Sequence, residues 1–329
     1  MSKLGYGPLV GMFSNDITSR LEQGASSLMK CVSLPNGLTI SALNETEAKV
    51  LYREIFSQKS YLKHGIQVSD GDCIFDIGAN IGLYTIFLAR SFSHLKIFAF
   101  EPIPDLFSIL QENARNHLAT SEIKLFNVGL SDSSRIARFE FNPMLSFAAT
   151  MYPQELADCV QQEGSVYDWA QAIILDLPKI SLISSGLAQF LIKVLSIPYL
   201  RALSLVILNQ LTLGNAEKIP WKQVECQLKT ISEIVRENKI TAIDMLKIDA
   251  EGSELDIVMG IEADDWRKIK QLIIEVHDVN GRLQKMISLL EGYGYNTLVD
   301  REDWEVHKLM NIFTIYAVKK ESVLCSLTN

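Results

Sequence analysis

Four polar side chains in this chain of 329 residues stand directly after short apolar runs. Asp76 follows Cys73-Ile74-Phe75, Glu101 follows Ile97 to Phe100, Asp249 follows Met245 to Ile248, and His277 follows Leu272 to Val276. Side chains that end buried parallel strands stand at the mouth of the crevice where such sheets bind ligands. A carboxylate there can meet a cation or accept hydrogen bonds from a sugar diol, and an imidazole can take a proton. Asp76 also opens Asp76-Ile-Gly-Ala-Asn-Ile-Gly82, in which Gly78 and Gly82 allow a tight turn and close approach of a ligand to the main chain.

Two kinds of nucleotide cofactor fit a strand, a glycine turn and a helix. A dinucleotide requires Gly-x-Gly-x-x-Gly, because its pyrophosphate lies on bare backbone at the helix N-terminus. Only Gly78 and Gly82 fall in this turn, and Asp76 would repel a phosphate. S-adenosylmethionine has no phosphate and carries a sulfonium and an ammonium, which a carboxylate favours. Glu101, at the end of the second strand, would accept both ribose hydroxyls for either cofactor. The glycine count points to S-adenosylmethionine. Asn127, Val128 and Gly129 end the third strand and would flank the adenine, with Asp132 nearby; Val128 serves equally well as core. Asp76 is alternatively a turn cap, and Asn80 either bonds within its own turn or holds the methionine part of the cofactor.

The acceptor chemistry falls to the later strand ends. Methyl transfer is an in-line displacement, so the protein positions the nucleophile. A hydroxyl reacts well only when a base takes its proton. His277 is the expected base, with Asp249 or Glu251 as its partner; Asp249 and Glu251 would alternatively hold the sulfonium end of the cofactor, and a single structural hydrogen bond is the plainer role for the imidazole. Asp249, Glu251, His277 and Asp278 resemble an oxygen-and-nitrogen set for magnesium or manganese. Carboxylates at strand ends are common without a metal, and none is expected. Lys247 and Asp249 share a strand face, so a charge pair between them explains both equally well.

The elements that must hold these residues alternate. Strands are predicted at 73–77, 96–100 and 122–128 and helices at 83–92 and 104–117, which implies a parallel sheet covered on both faces. Ala137 to Phe141 alternates like an antiparallel edge strand. The pattern resumes with a strand ending at Ile248, helix 253–260, strand 272–276, helix 280–292 and strands 295–299 and 311–318. Residues 1–70 form a leader, with a hairpin over Cys31 to Leu43 turning at Asn36-Gly37 and a helix starting at Asn44-Glu-Thr-Glu47. Residues 71–143 and 224–329 are the two halves of the core. The stretch 144–223 between them is predicted as a helical, apolar lid, with Leu182 to Ile192 and Ala202 to Leu213 as its helices.

Composition excludes several classes. Net charge is −8 with no basic block, which argues against nucleic acid as partner. Cys31, Cys73, Cys159, Cys226 and Cys325 are scattered and read as reduced thiols. A membrane span needs about 20 mainly apolar residues. Lys179, Lys193, Arg201 and Glu217 interrupt every candidate, and Pro198 would kink it. Contact of the apolar stretch with a membrane surface or an acyl chain is the alternative to simple core packing. The N-terminus lacks a signal-peptide core, so a cytoplasmic enzyme is expected.

Asp76 to Thr85, Phe100-Glu-Pro102, Gly129-Leu-Ser-Asp132 and Leu246-Lys-Ile-Asp-Ala-Glu-Gly252, in this order, resemble the FkbM family of methyltransferases. The resemblance runs from about residue 33 onward. Asn44 to Glu47, Leu51 to Phe56, and Asp265-Trp266 through Val276-His-Asp-Val279 resemble more closely the FkbM-type domains carried by polyketide and peptide synthetase modules. No family pattern covers Asp168 to Ile219. The resemblance implies a class I methyltransferase fold, an α/β Rossmann-like and mostly parallel seven-stranded sheet with helices on both faces. It implies O-methylation with S-adenosylmethionine, and it hints that Tyr61 and His64 close over the cofactor. Ala79 and Pro102, inside matching motifs, would touch it too. The expected acceptor is a hydroxyl of a polyketide or peptide intermediate, tethered by phosphopantetheine to an acyl or peptidyl carrier protein. A glycan or glycolipid hydroxyl at a membrane surface, or a noncatalytic docking module, are the alternatives.

Overall fold

The computed structural model describes residues 29–117, 120–143, 145–155, 166–196 and 221–320. A seven-stranded sheet forms the centre: β3 (Cys73–Ile77), β4 (Lys96–Phe100), β5 (Glu122–Phe126), β10 (Met245–Ile248), β11 (Gln271–His277), β12 (Tyr295–Asp300) and β13 (Ile312–Lys319). Its spatial order is β12-β13-β11-β10-β3-β4-β5. Strands β11, β10, β3, β4 and β5 run parallel, and β13 runs antiparallel to both of its neighbours. This is the class I methyltransferase sheet.

Strand alternation sorts the core onto two faces. Ile74 and Met245 join one apolar cluster, with residues of helix Leu83–Ser91 and helix Pro104–His117. Phe75, Ile77, Leu246 and Ile248 join the other, with helices Ile231–Glu237, Glu254–Met259 and Arg282–Gly292. By the same alternation Asp76 and Lys247 point to the first face, and they are register partners on adjacent strands. The leader packs on that face: hairpin β1 (Lys30–Ser33) and β2 (Thr39–Ala42), then helix Glu45–Tyr52, a π-helical turn Arg53–Ser57 and a 3-10 turn Ser60–Leu62. Asn44 caps the leader helix, accepting from the Thr46 amide at 2.9 Å.

A second, four-stranded sheet departs from expectation. It orders β6 (Gly129–Leu130), β9 (Lys222–Lys229), β7 (Arg135–Asn142) and β8 (Leu145–Thr150). Strand β5 stops at Phe126, because the chain leaves the central sheet there to start β6. The 137–141 stretch is an interior strand of this second sheet, paired on both sides, and is not an edge. Residues 145–150, placed in a helical segment from the sequence, form a strand. Helices Val166–Asp176 and Ser185–Leu195 do occur. The Ala202 to Leu213 pattern, Pro198, Cys159, Cys325 and the N-terminal stretch lie outside the described residues. No helix among the described residues is long and apolar enough to cross a membrane.

The glycine turn after β3 is fixed by contact. The Gly78 and Ala79 amides donate to the Phe100 carbonyl at 3.1 and 2.9 Å, tying the turn to β4. Gly78 has φ +73°, and a Cβ built there would lie 1.7 Å from the Asp249 carbonyl oxygen. Gly82, at φ +86°, leaves no room against Leu110 Cδ1, 2.5 Å from a built Cβ. Gly71 has the same sign of φ (+88°) with no atom within 4 Å. A Gly71→Ala substitution is therefore expected to cost only the roughly 1–3 kcal/mol of a left-handed non-glycine residue. Gly78→Ala must also displace the β10 terminus and should cost clearly more, as read from urea-unfolding midpoints of the two variants.

Candidate active site

A cavity of about 530 Å³ opens at the carboxyl ends of β3, β4, β10 and β11. Its size suits a cofactor and an acceptor together. One half is walled by Gly78, Ala79, Asn80, Glu101, Pro102, Val128 and Gly129, and the other by Tyr61, Asp249, Glu251, Glu275 and apolar residues of the leader and of the helices after β8.

In the first half, Glu101 is buried and lies across the turn. Its carboxylate accepts from the Asn80 amide (2.9 Å) and the Ile103 amide (2.9 Å), which leaves acceptor capacity toward the cavity. Burial lifts its pKa to about 7, although the Ile103 and Asn80 amides and Lys247 pull the other way. The Asn80 side chain accepts from the Ile81 amide at 2.7 Å and donates to the Ser146 hydroxyl at 3.2 Å, so it both stabilises its own turn and faces the cavity. An acceptor carboxylate, an apolar slot between Pro102 and Val128, and a turn with exposed main chain fit an adenosyl group with its ribose on Glu101.

Beneath the turn sits Lys247, fully buried. Its ammonium lies 3.4 Å from Asp76 Oδ1 and 3.3 Å from Asp249 Oδ2, and it donates to the Gly78 carbonyl at 3.0 Å. Burial would lower its pKa, but Asp249 and Asp76 outweigh that and raise it. Asp76 is spent on this contact and on the Thr85 hydroxyl, which donates to it at 2.7 Å. Its side chain is absent from the cavity wall, which corrects the expectation that it meets the cofactor's cation directly. Asp249 does reach the wall, and the Tyr61 hydroxyl donates to it at 3.1 Å. The Tyr61 ring also packs edge-on against Tyr84, so the packing role and the cavity role coexist.

In the second half, Asp249, Glu251 and Glu275 bring one oxygen each within 4.8 Å of one another, a spacing that a divalent cation could bridge. His277 stands behind Glu251: Nε2 lies 3.4 Å from Glu251 Oε2, and Nδ1 lies 3.8 Å from Glu254 Oε1. The imidazole is only 4% exposed; it is absent from the wall of this cavity and, with Glu251, lines a small neighbouring pocket. Burial would depress its pKa, but Glu254, Glu251 and Asp249 lift it to about 9. Burial likewise pushes Glu251 up to about 8, against the pull of His277.

The structure therefore gathers Tyr61, Gly78, Ala79, Asn80, Glu101, Pro102, Val128, Gly129, Asp249 and Glu251 on one wall and leaves Asp76, Asn127 and His277 behind it. Asn127 instead donates to the carbonyls of Glu101 (2.9 Å) and Pro102 (3.0 Å), clamping their loop. His64 pairs with Asp300, Asp132 with Arg135, and Asp278 accepts from the Leu283 amide. Sequence reasoning missed Glu54, Glu275 and His307, all of which line the cavity. A charge inside the apolar run of β11 was the signal for Glu275. Helical spacing was the signal for Glu54, since it aligns Glu47, Val50 and Glu54 on one face. Burial, with the neighbouring charge of His277, lowers His307 to about 4, so it is neutral near pH 7.

The model of the methyltransferase FkbM domain matches residues 76–297. The 31-O-demethyl-FK506 methyltransferase FkbM of Streptomyces tacrolimicus is 30% identical over 282 residues, 84% of this chain and 93% of that one. Methyltransferase sdnD of Sordaria araneosa is 26% identical, over 81% of this chain and 89% of that one. The AMB antimetabolite synthetase AmbE of Pseudomonas aeruginosa is 25% identical over 83% of this chain, a stretch that makes up 12% of the synthetase.

Glu101 with a pKa of about 7 sets a pH dependence on cofactor binding. The raised value means that the carboxyl is mostly protonated at pH 6 and mostly ionised at pH 8. If the ribose binds the ionised form, affinity for S-adenosylhomocysteine rises about tenfold from pH 6 to pH 8. Calorimetry should show that rise in the unaltered protein and a weaker, flat affinity in Glu101→Gln.

Proposed function

The chain belongs to the FkbM methyltransferase family and uses S-adenosylmethionine, and from that premise we propose that it methylates a hydroxyl of a natural-product intermediate. The observation that carries this reading is the continuity of the cavity. One wall runs from Gly78 and Glu101 past Asp249 to Glu251, beneath an apolar roof that includes Trp169, Ile173, Trp304 and Met310. A mainly apolar acceptor can lie under that roof with one polar end at the carboxylates.

When bound, S-adenosylmethionine supplies an electrophilic methyl group on sulfur. The chain's own residues do the rest. Glu101 holds the ribose, and the Gly78 to Asn80 turn receives the amino-acid end. Tyr61 and Lys247 both hold the Asp249 carboxylate at Oδ2, through contacts of 3.1 and 3.3 Å. Glu251 in its ionised form, a fraction that grows as pH rises toward its pKa of about 8, takes the proton of the acceptor hydroxyl, so that the oxygen lone pair is free to attack in line. His277 acts through Glu251: held between Glu251 and Glu254, it orients the carboxylate and balances its charge. This reverses the roles expected from the sequence. A buried imidazole with a pKa near 9 is protonated at neutral pH and has no free lone pair to act as the base itself.

The likeness to a relative named for 31-O-demethyl-FK506 supports a hydroxyl acceptor, and the likeness to one named as a synthetase supports delivery of an assembly intermediate on a carrier protein's phosphopantetheine arm. Substitution of Glu251 by Gln is expected to lower kcat about 10²–10⁴-fold and leave S-adenosylhomocysteine binding intact. His277→Gln should cost less and shift the pH profile. Methyl transfer is followed from labelled S-adenosylmethionine to hydroxyacyl-carrier protein, with the same hydroxy acid free in solution as control. Turnover by Glu251→Gln at the unaltered rate would remove Glu251 from the mechanism, and equal transfer to the free acid would remove the carrier.

A further inference from the structure

Two carboxyl groups on the cavity wall take no part in the methyl-transfer step: Glu54, and Glu275, which also lies close to Asp249 and Glu251. Glu54 comes from the π-helical turn of the leader and Glu275 from β11, and Glu54 is among the acidic groups whose charge acts on Glu275. They are 7% and 8% exposed, and both line the cavity. Neither has a hydrogen-bond or ion-pair partner among the described residues. Buried carboxylates are normally paired or hydrogen-bonded, because an isolated buried charge is costly. The cation nearest to the site is already used, since the Lys247 ammonium is held by Asp76, Asp249 and the Gly78 carbonyl. A π-helical turn inside a helix commonly marks a functional position, and here it carries Glu54.

We propose that Glu54 and Glu275 form a subsite for a protonated amine of the acceptor, so that the acceptor class is an apolar molecule bearing both a hydroxyl and a basic nitrogen. This rests on the reading of the cavity as a methyl-acceptor site. An ammonium offers three donors and a positive charge, enough to serve one carboxylate oxygen from each side. It has no lone pair, so the held nitrogen is a handle and the methylated atom remains the hydroxyl oxygen at Glu251. Burial, together with neighbouring acidic groups, raises the pKa of both carboxyls, Glu54 to about 8.

The test measures binding, so it does not depend on turnover. The full chain is saturated with S-adenosylhomocysteine and titrated calorimetrically with n-octylamine and, separately, with n-octanol. The amine is expected to bind at least tenfold tighter than the alcohol, and Glu54→Gln and Glu275→Gln each to remove most of that preference while keeping octanol binding as a sign of an intact cavity. Equal affinity for amine and alcohol would overturn the proposal. So would loss of S-adenosylhomocysteine binding in the two variants, which would give these carboxyls to the cofactor. Displacement of octylamine by millimolar Mg²⁺ would assign the pair to a divalent cation instead, and appearance of N-methyloctylamine with S-adenosylmethionine would make nitrogen the methylated atom. A failed amine preference alongside an intact Glu251 effect would leave the O-methyltransferase reading standing, and the converse would separate the two in the other direction.

Discussion

One buried ammonium organises the site. Lys247 lies opposite Asp76 in the β3–β10 register and reaches Asp76, Asp249 and the Gly78 carbonyl at once. Three parts of the ligand pocket, the strand end, the glycine turn and the β10 carboxylate, are thereby fixed relative to each other. A buried ion pair often adds little net stability over an apolar replacement, but removing one partner strands the other charge. Its main contribution here is position. It holds Gly78 against the Asp249 carbonyl, where no side chain fits, and it presents the Asp249 carboxylate to Tyr61 and the cavity.

The remaining wall is assembled from distant parts of the chain. The leader contributes Tyr61 and Glu54, the second sheet contributes Ser146, and the helices after β8 contribute Trp169. Each packs onto the same face of the central sheet or above its strand ends. The outcome is a chamber with an apolar roof and an acidic floor, in which several carboxyls are held with raised pKa values by burial. Such a floor is poorly satisfied when empty and suits ligands that bring positive charge, as a sulfonium cofactor does.

The parts of the fold visible in the sequence are those where local pattern and burial agree. The apolar runs before Asp76, Glu101, Asp249 and His277 announced the parallel strands almost to the residue, because those strands are buried on both faces. The second sheet was harder to see. Lys222–Lys229 alternates polar and apolar residues, yet β8 is short and follows directly on β7, so neither stood out beside the apolar helices between them. At the site, sequence position identified which strand ends matter but not which way each side chain points. Asp76 and His277 stand at the right strand ends but are absent from the main cavity wall, Asp76 being paired with Lys247 and His277 lying beside Glu251 and Glu254. Only tertiary contacts decide such a direction.

The most direct test of this account is urea unfolding of Lys247→Met, alone and combined with Asp76→Asn. The single substitution is expected to cost about 3–5 kcal/mol by stranding Asp76, and the second to restore part of the loss. A Lys247→Met protein as stable as the unaltered chain would show that the ammonium does not hold the turn.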